Sequence, residues 1–86
     1  MKFLNFWDNN SKPLSKQSLV ELIGYRRVLV ENHKGIAIYS SSEIQIKVPL
    51  GRICILGSEL YLTHIGREKL VIVGCIESLQ IVRRQI

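Results

Sequence analysis

Hydrophobic residues fall at alternate positions along most of the chain beyond Arg26. The clearest runs are Arg27-Val28-Leu29-Val30-Glu31, Ile36-Ala37-Ile38-Tyr39, Ile44-Gln45-Ile46-Lys47-Val48, Arg52-Ile53-Cys54-Ile55, Leu60-Tyr61-Leu62-Thr63 and Leu70-Val71-Ile72-Val73. A period of two sends successive side chains to opposite sides of an extended backbone, so each run reads as a strand. Turn formers separate them: Asn32-His33-Lys34-Gly35, Ser40-Ser41-Ser42-Glu43, Leu50-Gly51, Gly57-Ser58-Glu59 and Gly66-Arg67-Glu68-Lys69. Asn and Gly accept the positive φ that tight reversals need. The spacing predicts an all-β domain, a small antiparallel meander of about six to eight strands forming a barrel or sandwich. Gly35-Ile-Ala-Ile with Ile44-Gln-Ile weakly resembles Gly51-Arg-Ile-Cys-Ile with Leu60-Tyr-Leu, so a short β-solenoid is the alternative.

Residues 1–17 read as a flexible N-terminal tail and residues 18–86 as a single all-β domain. Ser18 to Ile23 is the first candidate strand, with a short helix as competitor because Leu19, Leu22 and Ile23 also suit helical spacing. Pro49 cannot donate to a ladder and marks a strand end or an edge. The alternation changes phase after Gly74, from Leu70, Ile72 and Ile76 to Leu79 and Ile81. That phase change predicts a bulge or bend between Gly74 and Ser78.

Ile36, Ile38, Ile44, Ile46, Val48, Ile53, Ile55, Leu60, Leu62, Leu70 and Ile72 form the expected core face. The opposite face mixes Gln45, Lys47, Arg52, Tyr61 and Thr63 with a second apolar set, Leu29, Leu56, Val71 and Val73. Those four are the candidate interface.

At 86 residues the chain is one domain, and a domain so short buries only about 60–65% of its unfolded surface. Its composition is nonetheless 47% hydrophobic. Some apolar surface is therefore expected to be covered by a protein partner or a second copy, as in a homo-oligomer. Net charge is +5 and the pI is near 9.6, with basic residues grouped at Arg26-Arg27, Arg52, Arg67 with Lys69, and Arg83-Arg84. These either sit solvated at turns and strand ends or attract an anionic membrane surface. Nucleic acid is disfavoured, because only 7% of residues are aromatic and no nucleic-acid fingerprint is present. Near the start, Phe3, Leu4, Phe6 and Trp7 cluster. They either fold back on the core or serve as a short surface anchor, with Phe3, Phe6 and Trp7 as the anchor residues. No run of roughly 20 apolar residues exists to span a membrane, and the opening stretch is too short and interrupted for a signal peptide.

Catalytic chemistry finds little support. The two cysteines, Cys54 and Cys75, are too few for a disulfide framework or a four-ligand zinc site. They are expected as buried free thiols in a reducing cytosol. His33 falls in a turn and His64 near a strand end, without metal-ligand spacing. The seven carboxylates are scattered, mostly at strand ends and turns, and nothing pairs them for acid–base work. No nucleophile elbow, Walker loop or dinucleotide fingerprint occurs. No catalytic residue, cofactor or metal is expected, and the chain is not expected to be an enzyme.

The order of certain segments resembles the YabP/YqfC family of sporulation proteins. The carrying stretches are Ile23-Gly24, Val30-Glu31-Asn32-His33-Lys34-Gly35-Ile36, Tyr39-Ser40, Ile44-Gln45-Ile46, Gly51 to Leu62, and Val73 to Leu79. Glu31-Asn32-His33-Lys34-Gly35 makes the chain look closer to the YqfC branch. It departs from that branch in its short aromatic and Asn-rich tail, which stands where a longer basic leader would be. The resemblance implies a non-enzymatic protein of the mother-cell cytoplasm, acting at the forespore surface in spore envelope or coat morphogenesis. Its role would be that of a structural, assembly or adaptor module. Alternative readings of the residues are a ligand-binding small β-barrel and a peripheral membrane-surface module.

Overall fold

The computed structural model describes residues 17–84. They form one antiparallel sheet of six strands: β1 (Leu19–Ile23), β2 (Arg27–Glu31), β3 (Gly35–Tyr39), β4 (Glu43–Val48), β5 (Gly51–Ile65) and β6 (Lys69–Arg83). The spatial order is β1-β2-β6-β5-β4-β3. Residues 19–23 are extended, not helical. Their pairing with β2 stacks Val20 opposite Val30 and Leu22 opposite Val28, which a helix could not do. All pairings are antiparallel, whereas a solenoid stacks its coils in parallel. The sheet is not closed into a barrel.

Two strands carry the architecture. β5 and β6 are each 15 residues long and pair with each other along their length. The pairing shifts register between Leu56 and Gly57, between Ser58 and Tyr61, and between Leu62 and His64. Each shift inserts an unpaired residue and bends the ribbon. The first lies where Ser78 gives way to Ile76, skipping Glu77. This is the bulge that the change of phase after Gly74 anticipates. The expected reversal at Gly57-Ser58-Glu59 does not occur. The chain continues through it as one bent strand, with Glu59 in the left-handed region at φ 53°.

The bend divides the sheet into two leaves. The first contains β1, β2, the start of β6 and the end of β5; the second contains β3, β4, the start of β5 and the end of β6. At the bend the strands approach closely. A Cβ on Gly57 would stand 2.0 Å from the Cys75 carbonyl oxygen, and one on Gly74 2.6 Å from that of Glu59. Gly74 also holds φ 145°, which side chains rarely adopt. The two hairpin tips satisfy the amides that the bend leaves without ladder partners. Gly74 and Ile76 donate to the carbonyls of Arg26 and Tyr25, while Gly57 and Leu60 donate to those of Ser42 and Ser41. The tip between β3 and β4 is itself held by the Ser40 hydroxyl, which accepts from the amides of Ser42 and Glu43.

The core lies between the leaves. Val28, Val30, Ile44, Ile46, Ile53, Ile55, Leu60, Leu70, Ile72 and Ile76 form one buried cluster, joined at its margin by Val20, Ile36, Val48, Leu62 and Leu79. Fully burying each such side chain contributes about 1.5–3 kcal/mol. These side chains occupy the space that a ligand-binding barrel would keep for its ligand. One expected core residue is displaced. Ile38 is 38% exposed, because the pairing with β4 shifts between Ile36 and Ile38 and turns Ile38 outward opposite Gln45.

Candidate docking surfaces

Register decides which side chains share the outer face of the first leaf. Ile23 pairs with Arg27, Arg27 with Val73, and Val73 with Tyr61; one row along, Glu21 pairs with Leu29, Leu29 with Val71, and Val71 with His64. The row between them, Val28, Ile72 and Leu62, faces the core. Leu29, Val71 and Val73 are half-buried neighbours on the outer side, and Ile23 and Tyr61 extend the apolar band, each just over half exposed. Of the four residues proposed as an interface, three therefore lie together. Leu56 does not join them. It precedes the bend at Gly57, pairs with Glu43 and Ser78, and is exposed on the second leaf. Sequence alternation placed Tyr61 on this face but not within the apolar set, and it missed Ile23; pairing sets Tyr61 opposite Val73, while Ile23 lies one strand further on, across Arg27. Phe3, Phe6 and Trp7 lie outside the described residues.

The connection between β2 and β3 has a structural role. Asn32 adopts φ 63°, donates its amide to the Glu68 carbonyl and its side-chain Nδ2 to the Gln17 carbonyl at 2.8 Å. The Ser18 hydroxyl donates in return to the Asn32 carbonyl. His33 Nδ1 accepts from the Gly35 amide at 3.0 Å, which leaves Nε2–H to donate to the Gly66 carbonyl at 3.0 Å. One imidazole thus ties the crossing loop to the turn between β5 and β6. Both ring nitrogens are engaged in holding backbone.

The cysteines are far apart along the ladder. Cys54 sits opposite Gln80, and Cys75 opposite Ser58. Cys54 is half-buried, but Cys75 is exposed rather than buried, because it lies at the bend where β6 changes face. Among the described residues, no three His, Cys, Asp or Glu side chains gather as metal ligands would. Among the same residues, no helix is long and apolar enough to cross a membrane.

The family model for YabP matches residues 15–85, a span that contains all six strands. The chain belongs to the YabP family. This family is associated with sporulation. No curated protein and no solved structure gives a significant match. The Glu31-Asn32-His33-Lys34-Gly35 and Leu56-Gly57-Ser58-Glu59-Leu60 stretches, which carry the resemblance most specifically, are here the loop lock and the strand bend.

Proposed function

We propose that this YabP-family chain is a non-enzymatic assembly or adaptor module in the development of the spore envelope or coat, of the YqfC-like branch. It acts in the mother-cell cytoplasm at the forespore surface. It docks on a second copy or a protein partner through the outer face of its first leaf. One observation carries the reading: Leu29, Tyr61, Val71 and Val73 form an apolar patch facing solvent, with Ile23 beyond Arg27 at its margin, on a sheet whose inner face already has its own core. Bands of this kind on small domains commonly mark interfaces. The edge strand β1 adds Leu19 on the same side, close to half exposed.

The test is sedimentation of the full chain at micromolar concentration, beside Val71→Glu. Val71 is half-buried on the outer side, so the glutamate can remain solvated and the fold intact. The expected result is an oligomer, or a complex recovered from sporulating cells, that Val71→Glu dissolves. A monomer that captures nothing from those cells, or an assembly indifferent to Val71→Glu, refutes the proposal.

A further inference from the structure

The strongest concentration of charge lies on the second leaf, away from the apolar band. Lys34, Lys47, Arg52, Arg83 and Arg84 line one surface groove of about 580 Å³, and no Asp or Glu lines it. They come from four separate parts of the chain. Lys47 pairs with Arg52, and Arg52 with Val82. Gly35 pairs with Lys47, which brings Lys34 alongside. Gly51 pairs with Arg83, and the Arg84 amide donates to the Leu50 carbonyl at 2.7 Å. All five basic side chains are exposed. The side-chain partner of Arg52 is a neutral one, Gln45 Oε1 at 2.9 Å. Five like charges gathered around one groove repel one another, and an anionic surface would relieve that repulsion.

Apolar groups crown the same end. Leu50, at the tip between β4 and β5, is 54% exposed and Val82 is 44% exposed, with Pro49 beside them. Aliphatic groups projecting from a ring of cations suit the boundary of an anionic bilayer, where the tip enters the headgroup layer and the cations meet phosphates. A nucleic-acid groove would instead offer aromatic platforms for bases, and no Phe, Tyr or Trp lines this one. Gln17 and Ser18 line the neighbouring groove together with Val48, Leu50 and Val82.

We infer that the β4–β5 tip and its five basic neighbours form a docking surface for anionic phospholipid membrane. This surface is separate from the apolar band of the first leaf, so vesicle binding and self-association can fail independently. The test is co-sedimentation of the full chain with phosphatidylcholine vesicles, with and without phosphatidylglycerol. Binding is expected only to the anionic vesicles and should weaken as salt rises. Each basic residue near such a surface contributes about fivefold, so Arg83→Glu with Arg84→Glu should weaken binding about 25-fold or more. Leu50→Asp should weaken it about tenfold. Arg26→Glu with Arg67→Glu makes the same change in net charge at two exposed residues outside both the groove and the apolar rows, and should lose far less. Circular dichroism checks the fold, and Arg83→Gln with Arg84→Gln replaces the reversal if that variant misfolds. Three results overturn the inference: no preference for anionic vesicles, equal loss from the two double variants, or tighter binding to a single-stranded oligonucleotide through the same residues. The last would assign the groove to nucleic acid.

Discussion

Replacing Gly57 with alanine tests the bend directly. Gly57 is not held in the left-handed region, so the alanine meets no torsional penalty there and only space is at issue. Its Cβ would lie 2.0 Å from the Cys75 carbonyl oxygen, and ordinary contact begins near 3.4 Å. The obstacle is backbone, which cannot rotate aside, so β5 and β6 have to part by more than an ångström. Overpacking of this kind costs typically about 1–3 kcal/mol. Parting the strands also strains the bonds that the hairpin tips make to Gly57 and Ile76, each with a net value of about 0.5–1.5 kcal/mol. The total is about 2–6 kcal/mol, a large share of the roughly 5–15 kcal/mol that stabilises an ordinary domain. In urea, with a slope of about 1 kcal/mol per molar, the midpoint should fall by about 3 M. Gly66→Ala is the control, because its nearest neighbour is the movable His64 side chain at 3.1 Å, and it should shift stability by less than about 1 kcal/mol. A Gly57→Ala midpoint within about 0.5 M of wild type at unchanged slope would show that the strands do not cross at this contact.

Three further outcomes follow from local geometry. His33→Ala removes both backbone bonds of the loop lock and should lose about 1–3 kcal/mol in urea melts, while exposed His64→Ala should stay within about 0.5 kcal/mol; equal effects would contradict the lock. Glu59→Gly relieves a left-handed side-chain residue at φ 53° and should be neutral or stabilise by up to about 1 kcal/mol; a clear loss of stability would mean that the Glu59 side chain supports the bend. Under non-reducing conditions the chain should show two free thiols, with exposed Cys75 reacting faster with an aromatic disulfide reagent than half-buried Cys54. An intramolecular disulfide would contradict their separation on the ladder.

Much of the fold is legible in the alternation, because one buried face forces every second residue of β2, β4 and the start of β6 to be aliphatic. What stayed hidden depends on partners distant in sequence. Gly57-Ser58-Glu59 has the composition of a tight turn, and a bulged bend needs the same residues for the same reason: glycine for close approach and a residue at positive φ. Only the ladder to β6 separates the two outcomes. Ile36 and Ile38 keep a perfect alternation through a shift that turns Ile38 outward, so the pattern misleads at that point. The proposed interface was partly legible, since Leu29, Val71 and Val73 are odd-numbered residues on adjacent strands. Leu56 shares their character but not their leaf. The basic groove was visible as scattered charge at Arg52 and Arg83-Arg84. Lys34 and Lys47 joined it only through the pairing of β3, β4 and β5.

One of the two spatial neighbours of β2 is β6, the last of the described strands, with Leu29 opposite Val71. During synthesis at about 5–20 residues per second, the inner face of the first hairpin waits about 2–8 seconds for its cover. Val28 and Val30 stay bare to the cell for that interval, and the long-range closure that ends it is intrinsically slow. A ribosome stalled before Leu70 would therefore leave a sticky half-product, so the nascent chain itself, more than the finished domain, is where this architecture is vulnerable.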